Sequence, residues 1–245
     1  MTEFKFQTKK QTKLRLELPF TEHAIELKQR FFYIIIIFLT LSFNLFLNIK
    51  PIVKVLKLLV NNIKFFQLSP SEYFFSSIEI ALYLGILLTS PFFMSQLMLF
   101  VKPGLNSRET KLIFPVLIIS ILLCFISLGF SYKILIPTAL QFFISYNSDL
   151  IEPLWSFNKY FDFILVLFYT TGLAFQIPIV QIIFGILGII SSEKMLSVWK
   201  YIILLSTICS AFLTPSTDPI TQILLTTAIF FLYLVGVVIV KILES

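Results

Sequence analysis

The chain has 245 residues, a formal net charge of +6, 58% hydrophobic and 13% charged residues, and a mean hydropathy of +0.94. A chain this apolar is an integral membrane protein. Its uninterrupted runs, such as Ile34 to Leu41 and Leu112 to Leu128, lack the period-two alternation of a barrel strand, so the expected fold is an all-α membrane bundle. The basic residues are dispersed beside the apolar runs, which is a pattern of membrane orientation and not of nucleic-acid binding.

A hydrocarbon core of ~30 Å needs roughly 20 apolar residues per helix, leaving room for about six crossings and no appended soluble domain. Residues 1–30 read as a tail whose last part, Leu18 to Arg30, is a juxtamembrane helix entering the first crossing, and residues 31–245 read as one membrane domain. No small-residue cleavage site follows the first apolar run, so an uncleaved tail is expected. On the entry helix Glu22, Glu26 and Arg30 recur at i, i+4 along one face while Ala24, Leu27 and Phe31 take another. The plain reading of that face is a Glu26–Arg30 pair on a solvated surface.

The first crossing is expected at 31–49, followed by a short amphipathic interfacial helix over 51–66, where Lys54, Lys57 and Lys64 alternate with Val53, Leu56, Leu59 and Phe65. The second crossing is placed at 78–101, with Glu72 as a candidate cap ahead of it. The polar loop 102–111 leads to the third at 112–136, and Glu109 at its start suits the positive end of a helix dipole. A second interfacial segment is expected at 138–146. The fourth crossing, at 160–190, spans about 31 residues or ~46 Å and must tilt, protrude or kink at Pro178. Near its middle Gln176 is costly unless it faces protein or water, most simply a hydrogen bond to a neighbouring helix.

The fifth crossing, at 201–213, holds about 13 residues and reaches only ~20 Å. Either it thins the bilayer with its short neighbour at 223–240, or it begins nearer Leu196 with Lys200 snorkelling. Between the two, Asp218 followed by Pro219 reads as a helix cap and first position. Of the 19 Lys and Arg residues, about two thirds fall on the side of the N-terminus, placing both termini on the cytoplasmic side or its equivalent.

Chemistry-bearing patterns are sparse. The single histidine, His23, precedes the crossings, and Cys124 and Cys209 sit inside apolar runs without metal spacing, so no metal or other cofactor and no disulfide framework is expected. No phosphate-binding loop, nucleophile elbow or paired intramembrane aspartate appears, so the chain does not read as an enzyme.

Several motifs together resemble TatC, the six-span core of the twin-arginine protein translocase, from about Pro19 to Lys241. The entry helix matches the family's HLxELRxR box through His23, Glu26, Leu27 and Arg30. Pro70-Ser-Glu72-Tyr-Phe74, Phe100-Val-Lys-Pro103-Gly-Leu105 with Glu109, and Tyr132 with Pro137 follow. Phe175-Gln-Ile-Pro178 and Leu213-Thr-Pro-Ser-Thr-Asp218-Pro-Ile-Thr-Gln222 complete the series. The resemblance implies a cupped bundle of six helices with short fifth and sixth crossings. It also implies a receptor for twin-arginine signal peptides, through which folded proteins cross the membrane on a proton gradient. It assigns Glu26 and Glu109 to arginine binding, Gln176 to contact with TatA-like or TatB-like single-span partners, and Glu72 and Asp218 to the cap on the far side. Gln176 stands where many bacterial members carry Glu. Together with the abundance of Phe, Ile, Lys and Asn, this points to a plastid or cyanobacterial branch and a thylakoid location, with a bacterial inner membrane as the alternative. Homo-oligomers within a hetero-complex and membrane lipids are the implied partners. Two rivals remain: a small transporter or channel with Gln176 and Gln181 along its path, and a scaffold for a photosynthetic or respiratory complex.

Overall fold

The computed structural model describes residues 20–60, 64–101, 110–147, 154–214 and 218–244. In chain order the helices are α1 (Phe20–Leu47), α2 (Ile49–Lys57), α3 (Glu72–Val101), α4 (Ile113–Phe130), α5 (Ile136–Asn147), α6 (Phe157–Ala174), α7 (Ile177–Ile186), α8 (Ser192–Ser197), α9 (Trp199–Leu213) and α10 (Pro219–Glu244). Two short strands, β1 (Lys64–Phe66) and β2 (Leu154–Ser156), pair in parallel. The end of the bundle where α1 begins and α3 finishes is called the proximal face, and the other the distal face.

Among the described residues five helical segments are long and apolar enough to cross a membrane: Ile25–Leu47, Glu72–Phe100, Ile113–Ser145, Phe157–Ile186 and Pro219–Glu244. The remaining expected crossing is α9, whose 15 residues span only ~22 Å. Its companion α10 is not short. It runs for 26 residues, starting four positions before the expected 223 because Asp218 and Pro219 initiate it, and continuing through Lys241 to Glu244. The shortness expected of both crossings therefore belongs to α9 alone.

The breaks in the long crossings follow from proline. Pro91 lies inside α3 and has no N–H for the Leu87 carbonyl four residues back. That carbonyl instead accepts the Ser90 hydroxyl at 2.7 Å and the Cys124 thiol of α4 at 3.5 Å, the internal re-satisfaction a bilayer demands. Pro178 divides the fourth crossing into α6 and α7, with Gln176 at the joint. This crossing ends at Ile186, short of the expected 190. Gly188 (φ 65°) donates to the Gly185 carbonyl and Ile189 to the Phe184 carbonyl, a Schellman stop that needs a left-handed residue. Ahead of Pro137, residues Ser131–Leu135 form a π turn that carries the helix on into α5. The interfacial segment expected at 138–146 is thus a continuation of the third crossing. In α2 the expected amphipathic helix forms with Ile49, Val53 and Leu56 inward, but it ends at Lys57 and its tail becomes β1. A three-residue strand is too short to leave a period in the sequence.

Burial sets the layout. The α6–α7 crossing is the centre, 67% buried in its apolar window, whereas that of α1 is 6% buried and lies on the flank of α3. Two cores lie either side of the Gln176 joint. The distal one gathers Ile80, Leu87, Leu135, Tyr160, Phe161, Ile164 and Leu225. The proximal one gathers Met98, Val116, Ile179, Ile183, Met195, Tyr233 and Val240. In lipid, such contacts act through packing and not through water exclusion. Cys124 is buried and Cys209 half-buried, both as free thiols.

Candidate functional site

The proximal face is organised by the start of α1. The helix passes unbroken from Phe20 through Glu26 and Arg30 to Leu47, so the entry segment and the first crossing form one rod. One turn apart, Glu26 and Arg30 pair as the spacing requires. The Arg30 Nε donates to Glu26 Oε1 at 3.1 Å and its Nη2 donates to the same oxygen. The remaining arm, Nη1, donates to Gln96 Oε1 of α3 at 3.4 Å. The two charged side chains are 30% and 20% exposed, glutamate and arginine respectively. Among the described residues Glu26 Oε2 accepts no hydrogen bond and faces no competing cation.

Gln96 was not marked in the sequence, because only the packing of α1 against the far end of α3 brings it to Arg30. Glu109 lies outside the described residues, as do the flanking 102–108. The described residues on either side of it, Val101 of α3 and Thr110, are at the end of the bundle where Gln96 meets Arg30.

Gln176 is 2% exposed. Its Oε1 accepts the Ser120 hydroxyl of α4 at 2.8 Å and its Nε2 donates to the Ser120 carbonyl at 3.4 Å. The amide thus meets the simple expectation of an interhelical hydrogen bond, satisfying both halves of the side chain in a dry interface. Gln181 is also buried, donating to the Tyr233 carbonyl at 3.3 Å with its oxygen against Gly236. Both amides are buried between helices, with Gln181 Oε1 left without a hydrogen-bond partner.

Glu72 does more than begin its own helix. Because side chains on a helix lean toward the N-terminus, its carboxylate turns back over the loop. Oε2 accepts Leu68 N–H at 2.6 Å, and Oε1 accepts the Ser156 hydroxyl at 3.0 Å and Asn158 N–H at 2.9 Å. The helix it caps is therefore α6 and not α3, and it ties the β1 loop to the β2–α6 junction. Ser76 adds a 2.7 Å bond to Asn158 Oδ1. Above this knot Phe65, Trp155, Phe157, Tyr160 and Phe161 pack ring on ring, and Tyr160 O–H donates to the Leu56 carbonyl of α2 at 2.9 Å. Asp218 behaves as the local pattern requires, its Oδ2 accepting Thr221 N–H at 2.9 Å in the N-cap to N3 geometry. Residues 215–217 of that loop lie outside the described residues.

Among the described residues no group of three or more His, Cys, Asp or Glu is placed to hold a metal ion. Among the described residues polar groups serve helix ends, interhelical bonds and the part-buried Glu26–Arg30 pair, while the buried Ser42 Oγ, Ser131 Oγ, Asp162 Oδ1 and Gln181 Oε1 have no hydrogen-bond partner.

The family model of the Sec-independent protein translocase protein (TatC) matches residues 22–227. The chain belongs to the TatC family. Among its TatC relatives, the chain is 58% identical over 222 residues to an uncharacterized tatC-like protein of Trieres chinensis, covering 91% of this chain and 84% of the relative. It is 47% identical to the Sec-independent protein translocase protein TatC of Synechocystis, over 93% of this chain and 90% of that protein. With the chloroplastic TATC of Pisum sativum it shares 40% identity over 92% of this chain and 64% of that protein. The crystal structure of the twin-arginine translocase receptor TatC in DDM superposes with a TM-score of 0.79 at 32% identity, covering 89% of this chain and 98% of that one. The TatC fold, its multi-pass membrane character and its membership of a protein-translocase family are thereby established for this chain, with relatives in plastids and cyanobacteria.

Proposed function

We propose that this chain is the signal-recognising core of a twin-arginine translocase in a plastid thylakoid membrane, with both termini on the stromal side. Glu26 and Glu109 receive the two arginines of the signal, and folded cargo then crosses on the proton gradient without any covalent chemistry in this chain. The observation that carries this reading is the Glu26–Arg30–Gln96 arrangement, in which a proximal carboxylate already holds a guanidinium fork. A planar guanidinium presents parallel donors that an ammonium lacks, so the same carboxylate discriminates arginine from lysine.

TatA-like and TatB-like single-span subunits are the proposed partners, seated at the α6–α7 crossing and the α9–α10 hairpin. The outer face of α9 supports that seat, with Tyr201, Leu204 and Phe212 exposed by 72%, 61% and 86%. Gln176 is buried against Ser120 of α4, so a partner would contact it only by displacing that bond. The short α9 is proposed to thin the bilayer locally. Lengthening it by about four apolar residues, one helical turn, is expected to impair transport and spare signal binding. Unchanged transport would remove the thinning idea.

The deciding experiment is binding of a twin-arginine signal peptide to the purified full chain, against a two-lysine peptide and against Glu26→Ala and Glu109→Ala. Loss of binding in all three cases is expected. Binding indifferent to the arginines and to both carboxylates would return the chain to a transporter or scaffold role.

A further inference from the structure

The geometry points to Arg30 as a built-in competitor that occupies the Glu26 carboxylate at rest, with Gln96 as its alternative seat when a signal arginine arrives. This rests on the reading of Glu26 as a signal contact and adds a regulatory step to it.

Three observations combine. Arg30 places two fork donors, Nε and Nη2, on the single oxygen Oε1 of Glu26, so it takes one half of the carboxylate and falls short of the two-oxygen bidentate mode open to a signal arginine. Oε2 accepts no bond among the described residues, and the glutamate is 30% exposed, so an incoming guanidinium has a landing point before Arg30 leaves. Two guanidinium groups on one carboxylate then repel each other. Gln96 Oε1, already 3.4 Å from Nη1, offers Arg30 a neutral acceptor on another helix.

Binding becomes an exchange in which one guanidinium replaces another. The carboxylate is never left unpaired, which lowers the desolvation cost of each step. Resting occupancy also raises the threshold for ligands. A single lysine, with no fork to replace the one it displaces, gains less than Arg30 loses. Masking by an i, i+4 pair of partial exposure is modest in strength, enough to bias selection without blocking the site.

The test is the affinity of a fluorescent twin-arginine signal peptide for the full chain in nanodiscs, with Arg30→Gln, Arg30→Lys, Gln96→Leu and the Arg30→Gln/Gln96→Leu double variant. Arg30→Gln is expected to tighten binding about two- to five-fold, the range set by a partly exposed ion pair. Arg30→Lys, which keeps the charge and loses the fork, is expected to tighten it less. Gln96→Leu is expected to weaken binding in the wild-type background and to be silent in Arg30→Gln, because Gln96 acts only through Arg30.

Weaker binding in both Arg30 variants, at an unchanged unfolding midpoint and elution volume, would overturn the competitor. So would a Gln96→Leu effect of equal size in both backgrounds. If Arg30→Gln does not fold, Arg30→Lys supplies the same sign. Failure of the underlying receptor reading looks different: Glu26→Gln then binds as the wild type does, and the two-lysine peptide binds as well as the twin-arginine one.

Discussion

The two faces of the bundle use carboxylates in opposite ways. On the distal face Glu72 takes Leu68 N–H, Ser156 O–H and Asn158 N–H from two separate chain segments, under an aromatic layer and a parallel strand pair. On the proximal face Glu26 holds one guanidinium from its own helix on a single oxygen, its other oxygen accepting no bond among the described residues. A carboxylate that joins backbone groups from several elements is part of the fold. A carboxylate paired with a single long, partly buried side chain is, on the proposed reading, available for exchange. On that reading, acidity at a helix end does not by itself mark a binding site; the number and origin of its partners does.

That contrast predicts that distal substitutions act on stability and proximal ones on binding. The largest expected effect is that of Glu72→Ala, which leaves three donors from two segments without an acceptor. It should lower the thermal unfolding midpoint in detergent more than any other change named here, and Glu72→Gln should not restore it, since its NH2 group meets donors. A midpoint near wild type would break the contrast at its strongest point. Next, Tyr160→Phe removes the hydroxyl that binds the Leu56 carbonyl and should cost about 1–2 kcal/mol, read in the same assay with signal affinity unchanged. Asp218→Ala removes the cap on Thr221 N–H and should cost about 1 kcal/mol, with Asp218→Asn recovering most of it. At the small end, Arg30→Gln should shift stability by less than about 0.5 kcal/mol while changing signal affinity. A destabilisation equal to that of Tyr160→Phe would show that the proximal pair is structural after all.

What could be read from residue order alone was whatever is decided within a few residues along the chain. Apolar run length gave the five long crossings, Pro178 the break in the fourth, Asp218-Pro219 the start of α10, and the i, i+4 spacing the Glu26–Arg30 pair. Each depends on contacts between a residue and its neighbours one helical turn away, which a sequence displays directly. The Gln176 hydrogen bond was foreseen in kind, since a buried amide in lipid must find a partner, although Ser120 could not be named.

The rest was decided by tertiary structure. That Glu72 caps α6, that Arg30 reaches Gln96, that Cys124 serves the carbonyl freed by Pro91, and that residues 64–66 pair with 154–156 all depend on the rotation and depth at which helices meet. In a water-soluble helix an apolar stripe would fix that rotation, but here the lipid-facing side is as apolar as a core, so no such stripe separates the two. Only the packed bundle, through close contacts such as Ser42 against Gly85 and Leu87 against Gly172, sets which polar groups come face to face.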